Sequence, residues 1–327
     1  MSQLIRWGIL GTGRIAHKFA SDLSHVPFAI VAAVGSRTKE AADAFAATYA
    51  IPRSHGSYEA LAADPEVDVI YISTPHVLHY ENTLLCLQHK KGVLCEKPFA
   101  MNRRQVTTMI DLARKQEVFL MEALWTRFLP HYQKLQELLA HGTIGEVSCV
   151  QANFGFRPAD TAPIRLTDHA LGGGTLLDIG IYNIFLVLGV LGKPDGITAA
   201  ITRAANGIDE QCIAGFTYNN GAMAQLYSTF SATIPIEANI FGSKGNIKLT
   251  NRFNEPSSRL LLSADGIQYE EVPVLELPGW GYRYEAAHVT HCLQQGIKES
   301  PIMTFDDSLL LIDMLDKIRE IVQLEYR

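Results

Sequence analysis

The stretch Leu4-Ile5-Arg6-Trp7-Gly8-Ile9-Leu10-Gly11-Thr12-Gly13-Arg14-Ile15-Ala16 decides the fold. A short apolar run ends in two glycines and passes straight into a helical pattern. Ile15, Phe19 and Leu23 recur every four residues and fall on one helix face. The reading is strand, tight turn, helix. Gly11 and Gly13, with Thr12 between them, suit a turn whose backbone approaches a pyrophosphate. The helix opening at Arg14 and Ile15 would then offer open N–H groups and the positive end of its dipole to that anion. Ala16 stands where the fingerprint wants a third small residue, so that helix and strand pack closely. Such a turn is common by itself. At the end of the first strand of a βαβ unit it points to a dinucleotide.

Working outward, strand and helix alternate. Residues 28–34 read as a second buried strand ending in Gly35-Ser36-Arg37-Thr38-Lys39, followed by an alanine-rich helix over about 39–49. Further strands are expected at 67–72, closed by Ser73-Thr74-Pro75, at 92–95 and at 118–121, with helices between them. This predicts an α/β chain whose residues 1–122 form a Rossmann-type doubly wound parallel sheet, with ligands at the carboxyl ends of its strands. Beyond that the pattern changes. Helices at about 127–141 and 172–190 flank a strand at 147–156, and a run of strands without helices follows from 196 to 273. Residues 123–327 are therefore expected to form an α+β domain for substrate binding and dimerisation, built on a mostly antiparallel open sheet. Its last helices, about 281–296 and 306–324, could pack back on the first domain.

Composition narrows the class. The 327 residues are 47% hydrophobic and 19% charged, a globular balance. A net charge of −6 provides no basic field for nucleic acid. No apolar run approaches the length of a membrane span, and the first strand begins too early to leave room for a signal peptide. Five cysteines without CxxC spacing read as reduced thiols of a cytoplasmic protein.

Chemistry concentrates at the expected strand ends. An NAD site wants Asp or Glu after the second strand to accept from the ribose 2′-OH. Here Ser36, Arg37 and Thr38 stand instead. Arg37 can fork onto a 2′-phosphate and the two hydroxyls can donate, which favours NADP over NAD. The plainer reading makes Thr38 a helix cap and Arg37 a solvated charge. Glu96-Lys97-Pro98 follows the strand expected at 92–95, and Pro98 biases Lys97 away from helix. Lys97 would point into the ligand crevice, although such a tripeptide is commonly a surface turn. Asp178 and Tyr182 stand four apart and share a helix face. A phenol serves as a proton shuttle for alcohol–carbonyl chemistry when a cation lowers its pKa. In His76-Val77-Leu78-His79 no third ligand has metal spacing, so no metal is expected, and His79 would line the cofactor site near Thr74 and Pro75. His288 and His291 read as structural. Trp125, Arg127, Phe154 and Arg157 are candidates for the substrate pocket.

Together, the glycine turn with Arg14, Thr74-Pro75 with His79, Glu96-Lys97-Pro98, and Gly172-Gly173-Gly174 through Asp178 and Tyr182 resemble the Gfo/Idh/MocA oxidoreductase family. Met121-Glu122-Ala123-Leu124-Trp125-Thr126-Arg127-Phe128 is similar to the branch of dimeric dihydrodiol dehydrogenases and NADP-dependent D-xylose dehydrogenases. The resemblance implies hydride transfer at a sugar-like or diol hydroxyl, and a homodimer. The family's lysine matches Lys97, its helix aspartate Asp178, and its acid/base Tyr182. In that scheme Tyr182 takes the substrate proton, Lys97 orients the hydroxyl, and Asp178 positions Lys97 or the substrate. The alternative is a non-catalytic NADP-binding sensor of the same fold. Retention of Lys97 and Tyr182 argues against it.

Overall fold

In the computed structural model, which describes residues 3–159, 161–275 and 277–326, strand and helix alternate from the first residues. The order is β1 (Ile5–Leu10), α1 (Arg14–Leu23), β2 (Ala29–Gly35), α2 (Lys39–Tyr49), β3 (Arg53–His55), α3 (Tyr58–Ala62), β4 (Val69–Ile72), α4 (His79–Gln88), β5 (Gly92–Glu96), α5 (Arg103–Gln116) and β6 (Leu120–Ala123). Then come α6 (Pro130–Ala140), β7 (Val147–Gly155), α7 (Ile181–Leu191), β8 (Gly196–Arg203), β9 (Asp209–Thr217), β10 (Met223–Thr229), β11 (Glu237–Gly242), β12 (Gly245–Thr250), β13 (Arg259–Ser263) and β14 (Glu270–Glu271). The last helices are α8 (Tyr282–Gln294) and α9 (Phe305–Val322). The chain divides into two units, residues 1–128 with 277–309, and 129–276 with 310–327.

The first unit holds a six-stranded sheet in the order β3-β2-β1-β4-β5-β6, with every pair parallel. Strands covered on both faces read as continuous apolar runs. Ile9, Leu10, Ile70, Ile72, Val93 and Leu94 are accordingly all fully buried. The strand order reverses at β1, between β2 and β4, which is where such sheets open a crevice. Phe19 of α1 stacks on Tyr71 of β4 with centroids 3.7 Å apart, and Tyr282 of α8 meets the Phe19 ring edge-on at 6.4 Å. Trp7 Nε1 donates to Thr290 Oγ1 at 3.3 Å, and Asp22 accepts from the backbone N–H groups of Trp280 and Arg283. Thus α8, distant in sequence, closes this core. β3 and α3 escaped the sequence reading. Arg53, Ser54 and His55 form an edge strand with no apolar alternation to reveal it.

The second unit carries an eight-stranded sheet in the order β14-β13-β12-β11-β7-β10-β9-β8. All its pairs are antiparallel except β7 with β10. Val150, Ala152, Leu226, Ala238, Ile240, Ile247 and Leu249 are buried on one side, while Ile213 and Met223 remain exposed on the other. The strand expected over 267–273 shrinks to Glu270 and Glu271, both exposed and short of apolar partners.

The single helix expected over 172–190 is corrected in shape. Gly172 (φ 75°) and Gly174 (φ 131°) form a turn, Leu176–Gly180 is π-helical, and α7 follows. The cause is Asp209, fully buried at the start of β9. It accepts from Thr175 Oγ1 at 2.7 Å, Leu176 N at 2.6 Å and Tyr326 OH at 3.1 Å. A Cβ on Gly174 would fall 2.1 Å from Asp209 Oδ1, so only glycine fits there. The expectation about long apolar runs also needs correction. His169–Leu191 contains an 18-residue window of mean hydropathy 1.9, but 78% of it is buried inside the fold, as in a core helix.

Asp209→Ala leaves two buried donors and the Tyr326 hydroxyl without their acceptor. The expected loss is about 3 kcal/mol, read as a lower denaturant midpoint. A midpoint equal to that of the parent protein would show that Asp209 is not what holds this turn.

Candidate functional site

The crevice edge of the first unit is built from strand ends. Gly11 follows β1 with φ 101°, and a Cβ there would crowd Ser73 Oγ at 3.2 Å and Ser73 O at 3.4 Å. Gly13 differs. Its φ of −77° suits any residue, and a Cβ would meet nothing within 4 Å. It caps α1 with no side-chain hydrogen bond to the helix N–H groups. A bare residue at an open helix N-terminus is what close approach of a pyrophosphate requires, so this turn fits a dinucleotide. Thr12 and Ser36 are joined by a 3.2 Å hydroxyl–hydroxyl bond across the ends of β1 and β2. Arg14 is exposed and Ile15 half-buried at the start of α1. Arg37 is exposed beyond β2, close enough to Tyr58 for its charge to oppose the burial that raises that phenol's pKa. Thr38 Oγ1 accepts from Ala41 N at 3.3 Å, which makes it the cap of α2.

Thr74 and Pro75 end β4. Thr74 Oγ1 accepts from Asn82 Nδ2 at 3.1 Å. His79 is fully buried, with Nε2 2.9 Å from Thr74 O and Nδ1 2.7 Å from Pro98 O. Both partners are carbonyl oxygens that can only accept, so the ring braces the β4 and β5 exits against each other. Glu96 ends β5 and accepts a hydrogen bond from the buried Tyr71 hydroxyl, while half-buried Lys97 follows it. Burial, and then the Glu96 charge, push the Tyr71 phenol well above its ordinary range. The Lys97–Pro98 peptide is cis. Trp125 stacks on Tyr282 with centroids 4.7 Å apart. Arg127 donates to Ile302 O at 2.9 Å and to Asp307 Oδ2 at 3.2 Å, so much of its fork is spent within this unit.

In the second unit the π-helical turn presents Asp178 and the first turn of α7 presents Tyr182, both with 7% of their surface exposed. Arg165 Nη1 donates to Asp178 Oδ1 at 2.8 Å. Phe154 lies 5.8 Å from the Tyr182 ring, centroid to centroid. Arg157 is exposed just beyond β7, where its backbone N–H donates to Thr233 Oγ1. The structure thus groups Asp178, Tyr182 and Phe154. It also adds Arg165, which no periodicity could have revealed because it sits in an irregular segment between Pro163 and Leu171. Tyr71 escaped for another reason: it lies inside a strand that reads simply as core.

Residues 5–124 match the oxidoreductase family with an NAD-binding Rossmann fold, and residues 132–248 match the Gfo/Idh/MocA C-terminal domain. The chain belongs to the Gfo/Idh/MocA oxidoreductase family. As a member it is an oxidoreductase with a nucleotide-binding first domain. It is 41% identical over 322 residues to trans-1,2-dihydrobenzene-1,2-diol dehydrogenase from Xenopus laevis, covering 96% of this chain and 97% of that one. Among solved structures it resembles KijD10, a 3-ketoreductase from Actinomadura kijaniata in complex with NADP and TDP-benzene. That likeness has a TM-score of 0.87 and 27% identity over 97% of this chain and 98% of the other. It also shares its fold with aldose-aldose oxidoreductase from Caulobacter crescentus, with a TM-score of 0.89, 24% identity and 98% of each chain covered.

Proposed function

We propose that this protein is an NADP-dependent dehydrogenase that moves a hydride between nicotinamide and a secondary alcohol or carbonyl of a sugar or cyclic diol. The observation that carries the reading is the full-length similarity to the Xenopus laevis diol dehydrogenase. NADP is favoured because no carboxylate ends β2 to accept from a ribose 2′-OH, while Ser36 and exposed Arg37 stand there. When bound, the dinucleotide supplies the hydride acceptor. Tyr182 takes the proton of the substrate hydroxyl at its phenolic oxygen. Lys97 donates a hydrogen bond to the substrate oxygen and favours the alkoxide over the alcohol. Asp178, held by Arg165, orients the substrate or Lys97. Gly11, Gly13, Thr74 and His79 shape the dinucleotide's seat, and Trp125, Arg127, Phe154 and Arg157 define the substrate class. Two copies join through the open face of the second sheet, where Ile213 (44% exposed) and Met223 (57%) stand uncovered. Five free cysteines, four of them buried, fit a reducing cytoplasmic setting.

Turnover with aldoses, cyclic diols and dicarbonyls, assayed with both cofactors, tests the reaction. Lys97→Met and Tyr182→Phe are each expected to bind NADP as before and to lose turnover by roughly two orders of magnitude or more. Normal oxidation by Tyr182→Phe beside an inactive His79→Asn would move the proton shuttle to the histidine. Arg37→Ala should weaken NADP by about 1.5–3 kcal/mol and leave NAD nearly untouched, since it removes a charge-assisted pair. Equal losses for the two cofactors, by calorimetric titration, would take Arg37 out of cofactor choice. Light scattering at micromolar concentration should give twice the chain mass of 36.1 kDa. The monomer mass would refute the dimer.

A further inference from the structure

A carboxyl group lies beneath the turn that carries Lys97, and the mechanism above does not use it. Glu122 is 2% exposed, in β6, opposite Cys95 in the parallel pairing with β5. Its Oε1 accepts the Phe99 N–H at 3.0 Å, two residues beyond Lys97. Its Oε2 has no hydrogen-bond partner among the described residues. A buried carboxyl left half-satisfied is costly.

We propose that Glu122 is a positioning residue for Lys97, holding the 96–99 turn through the Phe99 amide and setting the charge that Lys97 faces. The inference rests on the reading of Lys97 given above. Two neighbours complete the arrangement. The opposite side of the turn is held by His79 through Pro98 O at 2.7 Å, so the loop is clasped from both sides by buried side chains. The start of α9 brings Ser308 and Asp307 against Glu122. Asp307 is itself paired with Arg127 at 3.2 Å, and the Lys97 charge acts on Glu122.

A further titratable neighbour is Cys95 on β5, whose thiol is buried and held well above its usual range. Burial drives the Glu122 carboxyl up to about 7, with Ser308, the Phe99 amide and Lys97 pulling down and Asp307 pushing up. Glu122 is then protonated in mild acid and ionised in mild base. Ionisation gives Glu122 a negative charge that attracts the Lys97 ammonium and steadies its placement. Hydrogen-bond donation to the substrate oxygen follows that placement.

Glu122→Gln keeps the size and the acceptor for Phe99 but cannot ionise. The ratio of parent to variant kcat should be near one at about pH 6 and rise to roughly fivefold or more at about pH 8, with KM for NADP unmoved. A purely structural role would give one ratio at every pH. Ser308→Ala removes a group that lowers the Glu122 pKa, so the inflection should move to higher pH with the carboxyl intact. Stability supplies a readout apart from activity. The folded value of about 7 lies above the ordinary 4.5, so the folded chain holds a proton that the unfolded chain has released between those values. Parent stability relative to Glu122→Gln should therefore fall as pH rises through that window. A pH-independent ratio beside an inactive Lys97→Met overturns this inference and leaves the Lys97 reading standing. Full turnover by Lys97→Met overturns both.

Discussion

Parallel pairing is the constraint on which the first unit depends. When all six strands run the same way, every carboxyl end lies on one edge. Gly11, Ser36, Thr74, Lys97 and Glu122 are far apart in the chain, yet each terminates a strand or sits within a residue or two of its end. Their convergence needs no special loop. It follows from register, with β1 flanked by β2 and β4, and β5 set between β4 and β6. Apolar runs buried on both faces, such as Ile70, Tyr71 and Ile72, hold that register, because exposing either face would cost the burial of several large side chains.

The second unit solves a different problem. Its sheet offers one face to α7, whose residues from Ile181 to Val187 are buried all round. A helix so thoroughly apolar has little to fix its starting angle. Asp209 does so by ordering two donors at the preceding turn and the Tyr326 hydroxyl, which puts Asp178 into a π-helical turn rather than a regular one. Such turns are infrequent and recur at functional sites, where the extra residue redirects a side chain. Here the redirected side chain meets Arg165.

Much of this was legible from residue order. The alternation of apolar runs and helical spacing gave the parallel sheet, and the glycine turn gave its ligand edge. Lys97, Asp178 and Tyr182 were visible as motif positions. What stayed hidden was hidden for physical reasons. Arg53, Ser54 and His55 form a strand by joining an existing edge, with no pattern of their own. Asp209 looks like any polar residue opening a strand, because its three donors come from the 175–176 turn and from residue 326. Arg165 and Glu122 are marked only by contacts made in the folded chain. The helix expected over 172–190 failed for the same reason. Its pattern was mostly apolar, and the break came from a distant carboxylate.

Gly11 and Gly13 look interchangeable in the sequence, yet they answer to different demands. Gly11 is required by the backbone itself, at φ 101° with Ser73 close behind it. Gly13 is required by neither backbone nor neighbours, since its missing side chain would project into open space. Folding therefore polices the first glycine, and under the proposed function nucleotide binding polices the second. In a lineage that kept this fold but abandoned its cofactor, position 13 would be free to drift while position 11 stayed fixed. On that reading, divergence at the second glycine alone would be a molecular fossil of lost chemistry.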